Sequence, residues 1–229
     1  MKAVITGGCS GLGLAFSKFL IARGYFVFAL YNTSVDNALK LENEFENIKC
    51  IKCDITNEEE VKNVIDSIDE IDLLINNAGI AIDNDYQNKS KQEFMKVIET
   101  NLGGTFLVTK YALSKLNSKG IIINISSNNA IDNYNPISMD YDASKAGINM
   151  LTKNFSLILE DLNKNNKIIA VCPGWILTDS VKEMNPLFLE QEMKKNNQNK
   201  IIIPNELVEY IINHLEDYQN GEIVVIKEV

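Results

Sequence analysis

The sequence is poor in histidine, tryptophan and proline, with one, one and four in 229 residues. The lone histidine, His214, falls in the last helical stretch, far from every motif, and reads as a surface residue. There are four cysteines, Cys9, Cys50, Cys53 and Cys172. Cys50 and Cys53 form a CxxC, but on a strand pattern, where positions three apart face opposite ways. No second pair and no histidine partner lies nearby. The four are therefore expected to be buried, reduced thiols of a cytoplasmic protein, with no metal bound. No apolar run approaches the ~20 residues of a membrane span. No signal peptide is expected, because the first residues already read as a strand. No basic block is present and the net charge is −9. Nucleic acid and anionic membrane are thereby excluded as partners, and a polyanionic ligand must be met by local features. No repeat and no proline-rich linker divides the chain, so residues 1–229 are expected to form one domain around a single core.

What is present is an alternation. Strand patterns cover Lys2–Thr6, Tyr25–Leu30, Lys49–Cys53, Leu73–Asn76, Ile121–Ser126, Lys167–Cys172 and Ile223–Ile226. Helical patterns lie between them, at Leu12–Arg23, Asp36–Glu46, Glu58–Ile68, Lys91–Asn117, 142–163 and Asn205–Leu215. Continuous apolar runs such as Ile121-Ile122-Ile123 indicate strands buried on both faces. Such a chain predicts an α/β fold: a Rossmann-like, doubly wound parallel sheet of about seven strands with helices on both sides. Segment 180–200 departs from the pattern. It follows the sixth strand, where ligands of open α/β sheets sit, and is a candidate substrate lid; a plain solvated connection is the alternative.

The chemistry begins at Thr6-Gly7-Gly8-Cys9-Ser10-Gly11-Leu12-Gly13. A strand precedes this turn and a helix follows it. Free backbone N–H groups and the positive end of the helix dipole would face a dinucleotide pyrophosphate, and glycine lets the backbone come close. The spacing differs from GxGxxG, and a glycine turn alone is weak evidence. Three further signals lie at strand ends: Asn76-Asn77-Ala78-Gly79, Ser126-Ser127, and Tyr141 with Lys145. Asn101 falls inside the fourth helical stretch. Tyr141 and Lys145 are four apart and share a helix face. A tyrosine titrates near ~10, too high for acid–base work at neutral pH. A neighbouring ammonium is expected to lower that value, so that the pair can exchange a proton with a carbonyl oxygen. With eight tyrosines in the chain, about one YxxxK match is expected by chance. A second one, Tyr111 with Lys115, is read as ordinary helix-surface spacing.

With these residues in order, the chain resembles the short-chain dehydrogenases/reductases, in their compact single-domain branch, which includes 3-oxoacyl-carrier-protein reductases. The resemblance implies that Tyr141 is the acid–base residue. Lys145 would lower its pKa and bind the nicotinamide ribose. Ser127 would orient the carbonyl, with Ser126 as its competitor, and Asn101 would hold a water in a proton relay. Gly7, Cys9, Ser10, Gly11, Leu12 and Gly13 match the cofactor turn. Asn77, Ala78 and Gly79 belong to the sheet-stabilising NNAG motif. Asp54 and Ile55 resemble the pair flanking adenine. Pro173, Gly174, Ile176 and Thr178 look like the segment that holds the nicotinamide carboxamide. Tyr31 stands where an NAD enzyme carries aspartate, which favours NADP(H), with Asn32, Thr33 and Ser34 as uncharged phosphate partners; NAD(H) stays possible. The implied reaction is hydride transfer between NADP(H) and a ketone or secondary alcohol. Trp175 and residues Met184–Phe188 either line an apolar pocket or pack the lid. Other readings are a catalytically silent dinucleotide sensor, a keto-sugar reductase of polysaccharide synthesis, and a nucleotide-sugar epimerase, for which too little chain follows Thr178. Relatives self-associate through the two long helices, so a homodimer or homotetramer is expected.

Overall fold

The computed structural model describes residues 1–131, 133–162 and 165–229. Among them, seven strands form one parallel sheet in the order β3-β2-β1-β4-β5-β6-β7. The strands are β1 (Lys2–Thr6), β2 (Phe26–Tyr31), β3 (Ile48–Lys52), β4 (Ile71–Asn76), β5 (Leu116–Ile125), β6 (Lys167–Pro173) and β7 (Ile223–Ile226). The chain leaves β1 toward one edge and returns at β4 toward the other. That reversal opens a crevice beyond the carboxyl ends of β1 and β4, where ligands of such sheets bind.

Both faces of the sheet are apolar because alternate residues of each strand supply different cores. Ala3, Ile5, Leu73, Ile75, Ile123 and Ile169 pack under α1 (Gly11–Ala22), α2 (Val35–Glu44) and α9 (Pro204–Asn213). Val4, Leu74, Ile122 and Ile168 pack under α3 (Glu58–Asp66), α5 (Gly104–Ala112) and α6 (Met139–Asp161). Cys50 and Cys53 obey the same alternation: Cys50 packs on the first core and Cys53 lies in the second.

The fourth helical stretch is not one helix running to Asn117. It is α4 (Lys91–Ile98), a π-helical turn at Glu99–Gly103, and α5, which ends at Ala112. Residues 116–120 instead extend β5 toward its amino end, where Leu116 pairs with Ile71. The lid segment is more ordered than a polar connection would be. It carries α7 (Asp179–Lys182) and α8 (Pro186–Lys195), the latter started by Pro186 at its first position with Asn185 as cap. The long helix α6 starts at Met139, three residues before its expected start, which puts Tyr141 in its first turn. Its expected last residue, Asn163, lies outside the described residues. No helix among them is long and apolar enough to cross a membrane.

A row of polar side chains runs through the middle of the apolar sheet. Asn76 Nδ2 donates to Thr109 Oγ1 at 2.9 Å and to Asn124 Oδ1 at 2.8 Å. Asn124 Nδ2 donates in turn to Thr152 Oγ1 at 2.9 Å. All four residues are buried. The row couples β4 and β5 to the helices α5 and α6; its bonds offset the desolvation of the amide nitrogens and of Asn124 Oδ1, while Asn76 Oδ1 has no partner among the described residues.

Candidate active site

The glycine turn is shaped by close approach. Gly7 adopts a left-handed backbone with φ +65°. A Cβ on Gly13 would stand 2.2 Å from the Gly7 carbonyl oxygen, so only glycine lets α1 start this near to β1. Ser10 precedes the helix in an extended conformation; no side chain caps the first turn and no acidic residue lies in it. The amide donors and the dipole of α1 are thus unanswered by the protein's own side chains at the crevice. Thr6 fastens the opposite wall. Its Oγ1 accepts from the amides of Asn77 and Ala78, each at 3.0 Å, and Asn77 Nδ2 donates back to the Thr6 carbonyl at 3.0 Å.

The two walls enclose a cavity of about 840 Å³. Gly7, Cys9, Ser10, Gly11 and Leu12 border it at one end. Tyr31, Asn32, Asp54 and Ile55 line the next stretch, with Asn77, Ala78 and Gly79 beside them. Ser127, Tyr141 and Lys145 line it too, as do Pro173, Gly174, Ile176 and Thr178. Two expected site residues do not reach it. Gly13 packs behind Gly7. Asn101 is fully buried, and its amide is spent on Ile80, accepting from the N–H at 2.8 Å and donating to the carbonyl at 2.9 Å. Its Nδ2 also donates to Ser144 Oγ at 3.0 Å. The π-helical turn frees Asn101 for this task, and the task fixes the strand-end loop to α6.

The residues of β5 and α6 are locked to one another. Lys145 Nζ donates to the Ile125 carbonyl at 2.7 Å, and Ser126 Oγ donates to the Lys145 carbonyl at 3.0 Å. Ser126 is consumed by that bond, whereas Ser127 lines the cavity beside Tyr141, its Oγ accepting from the Asn129 amide at 3.2 Å. Lys145 Nζ lies 5.5 Å from the centroid of the Tyr141 ring. A buried ion pair sets the start of α6: Lys89 Nζ and Asp140 Oδ2 are 2.7 Å apart, and Asp140 Oδ1 accepts from the Tyr141 amide at 3.0 Å. Lys89 also donates to the Ile82 carbonyl. The second YxxxK has no such setting: Tyr111 Oη donates to Glu58 on the surface, and Lys115 reaches the Asp66 carbonyl instead.

Burial, rather than the lysine, dominates the titration of this pair. Desolvation pushes Tyr141 up to about 12, against a smaller lowering by the nearby Ser127 hydroxyl. The expected fall in the tyrosine pKa is therefore not found in the folded site. The same desolvation pushes Lys145 down to about 8. An ammonium that is itself costly to bury cannot hold a phenolate cheaply. Asp54 is held below the usual carboxylate range, chiefly by the Thr56 amide, with smaller help from the Thr56 and Asn32 side chains.

Sequence reasoning missed two groups. Asp83, Asn129, Asn133 and Tyr134 also border the cavity; the last three lie in the asparagine-rich stretch between Ser127 and Tyr141, which was their one signal, and Asp83 had none. Gln198 is the other. Its Oε1 accepts from the Trp175 amide at 2.7 Å, and its Nε2 donates to the Trp175 and Lys200 carbonyls at 2.9 and 2.8 Å. Trp175, Met184 and Phe188 do border the cavity, as do Ser180 and Glu192 of the lid segment.

Comparison with known proteins agrees with this geometry. The family model described as short chain dehydrogenase matches residues 1–187. A 3-oxoacyl-[acyl-carrier-protein] reductase FabG of Rickettsia bellii is 35% identical over 187 residues, covering 80% of this chain and 76% of that protein. An acetoacetyl-CoA reductase of Paracoccus denitrificans is 33% identical over 195 residues, covering 82% and 79%. In fold, a dehydrogenase/reductase from Sinorhizobium meliloti 1021 superposes with a TM-score of 0.90 at 24% identity, over 98% of this chain and 92% of that one. The structure of BdcA in complex with NADPH gives 0.88 at 20%, with the same coverage.

The lowered pKa of Lys145 has a consequence for stability. Between about 8 and the unfolded value near ~10.4, the unfolded chain holds a proton that the folded chain has lost, so folding is favoured as pH rises through this window. Urea unfolding of the wild type and Lys145→Met should diverge accordingly. The wild type gains about 3 kcal/mol relative to the variant between pH 7.5 and 10.5; a constant difference would place the lysine in a solvated site.

Proposed function

Because the chain belongs to the short chain dehydrogenase family, we propose that it reduces a ketone to a secondary alcohol, or runs the reverse, with Tyr141 as the acid–base residue. The observation that carries this reading is the convergence of Ser127, Tyr141 and the buried Lys145, its Nζ 5.5 Å from the Tyr141 ring centroid, on the cavity that the open start of α1 also borders. The cradle suits a dinucleotide, since uncapped amides and glycine contacts leave room where a side chain would intrude. Bound there, the nicotinamide would supply or take up the hydride. The chain's own groups handle the oxygen. Ser127 donates to the carbonyl oxygen and holds it at the phenol. Tyr141 passes its proton to that oxygen as charge develops; burial keeps the phenol protonated until then but makes it a weaker acid, so the transfer rests on the still greater basicity of the developing alkoxide. Lys145 fixes the ring from below through its bond to Ile125. Asn101 acts as a positioning residue, its side chain holding Ile80 by both N–H and carbonyl, and the water relay implied by resemblance stays part of this reading.

Replacing Tyr141 by Phe removes the transferable proton and nothing else from the crevice. The kcat for ketone reduction should fall about 10²–10⁴-fold while dinucleotide binding persists. Unchanged turnover would leave the tyrosine without its role, and loss of binding as well would mean a collapsed site. The same variant separates an enzyme from a silent sensor.

The cofactor reading is NADP(H). Tyr31 offers no carboxylate to a ribose, Asn32 is tied to Asp54, and Thr33 and Ser34 border the cavity beside them. With NADPH the ratio kcat/KM should exceed that with NADH by about tenfold, some 1.4 kcal/mol; a preference for NADH would reverse the assignment. The substrate is a ketone of a class that includes the 3-oxoacyl thioesters for which the compared reductases are named. We place the protein in the cytoplasm, where its four free thiols stay reduced.

We also propose a homo-oligomer built on α5 and α6. Met150 and Leu157 on α6, Leu162 just past its end and Phe106 on α5 are exposed apolar side chains on adjoining helices, of a kind that soluble chains usually cover where they form a patch. Sedimentation should give a dimer or tetramer for the wild type and a smaller species for Leu157→Glu. A wild-type monomer at micromolar concentration would refute it.

A further inference from the structure

Cys9 and Cys50 are far apart in sequence, yet their sulfurs lie 3.7 Å from each other. Cys9 belongs to the glycine turn that borders the dinucleotide crevice. Cys50 lies on β3, paired with Ala29 of β2. The turn rests on that same alanine: a Cβ on Gly8 would come within 2.9 Å of the Ala29 side chain. The two thiols therefore meet across Ala29, one fully buried and the other half-buried at the outer edge of the core. Both are free. Burial raises both thiol pKa values, and the Glu42 carboxylate, which accepts from the Cys50 amide at 2.8 Å, raises them further. They rest as protonated thiols, stable in a reducing compartment.

We propose that Cys9 and Cys50 form an intramolecular disulfide when the protein meets a peroxide, and that this bond weakens dinucleotide binding in the crevice. The inference rests on the crevice described above and adds a modification site to it. The half-buried Cys50 is the sulfur that an oxidant reaches first. Its sulfur attacks one peroxide oxygen; the O–O bond breaks, the thiol becomes a sulfenic acid and one water leaves. The Cys9 sulfur then displaces the sulfenic oxygen, which departs with the Cys9 proton as a second water. Two thiols lose two electrons, and one hydrogen peroxide is reduced to two waters.

A disulfide holds its sulfurs at about 2.05 Å, so the pair must close by roughly 1.7 Å. The turn cannot follow as a whole. The Gly8 amide is bonded to the Leu30 carbonyl at 3.1 Å, and the Gly8 carbonyl accepts from Ser17 Oγ at 2.8 Å. The pull therefore falls on Cys9 to Leu12, whose amides open onto the crevice. Donors displaced by about an ångström lose their aim at an anion, and effects of that size are worth up to about 100-fold.

The test uses the reduced full-length protein. It is treated with hydrogen peroxide, its remaining thiols are blocked with N-ethylmaleimide, and its peptides are read by mass spectrometry. In parallel NADPH and NADH are titrated by fluorescence. The expected result is a Cys9–Cys50 linked peptide and a dinucleotide Kd raised at least about tenfold, both reversed by dithiothreitol. Cys50→Ala should bind dinucleotide like the untreated wild type and keep that affinity after peroxide; Cys50→Ser repeats the arm with a side chain closer in size to the thiol. Absence of the linked peptide overturns the proposal. So does linkage with an unchanged Kd, or loss of affinity in the Cys50 variants, which would point to oxidation of Cys172 beside the Tyr141–Lys145 pair.

Discussion

The hydroxyl of Thr6 is the fastening on which the crevice depends. It accepts from two consecutive amides on the end of the neighbouring strand, and the Asn77 side chain returns a bond to the Thr6 carbonyl. Parallel strands β1 and β4 would splay beyond their last ladder bonds, because the chain leaves them in opposite directions. The clasp keeps the two loops at the separation that the cavity needs. It also explains why Gly7 and Gly13 must be glycines: with the strand ends drawn together, a Cβ at Gly7 would come within 3.0 Å of the Asn77 side chain.

From this clasp the arrangement passes outward through shared atoms. The strand-end loop continues to Gly79 and Ile80, which Asn101 grips from both sides. Asn101 touches Ser144, one residue from Lys145, and Ser144 donates to the Tyr141 carbonyl at 2.7 Å. A Cβ on Gly79 would stand 3.2 Å from Asn101 Oδ1, so the small residue of NNAG leaves that amide its place. Positioning in this site is therefore mutual. Each polar side chain near the phenol is held by the backbone of a different element, which is how a buried cluster stays in one geometry.

Much of this was legible in the residues. Strands β1 and β7 have the bounds that their apolar runs predict, and the order of elements follows from their alternation. The glycine turn, Ser127, Tyr141 and Lys145 converge because the topology collects strand ends on one side. Other features depend on contacts that no local pattern encodes. The stretch from Lys91 to Asn117 keeps apolar spacing throughout, yet Asn101 needs an extra residue in its turn to reach Ile80, and Leu116 is claimed by Ile71. The lid reads as polar because α8 has no fully buried residue, although Pro186 and Asn185 start a helix there. The pKa of Tyr141 could not be read from its lysine neighbour, because spacing gives proximity and says nothing of desolvation. Cys9 and Cys50 belong to separate motifs, and only the packing over Ala29 makes them neighbours.

The grip of Gln198 on Trp175 bears on the wall of the cavity. Three hydrogen bonds join the residue just after α8 to the backbone at Trp175 and Lys200. The contact is tight: a Cβ on Gly174 would fall 2.4 Å from Gln198 Oε1. The cavity wall is thus riveted at one edge, and Met184 and Phe188, which border the same cavity, sit on the stretch of chain strung between Trp175 and that rivet.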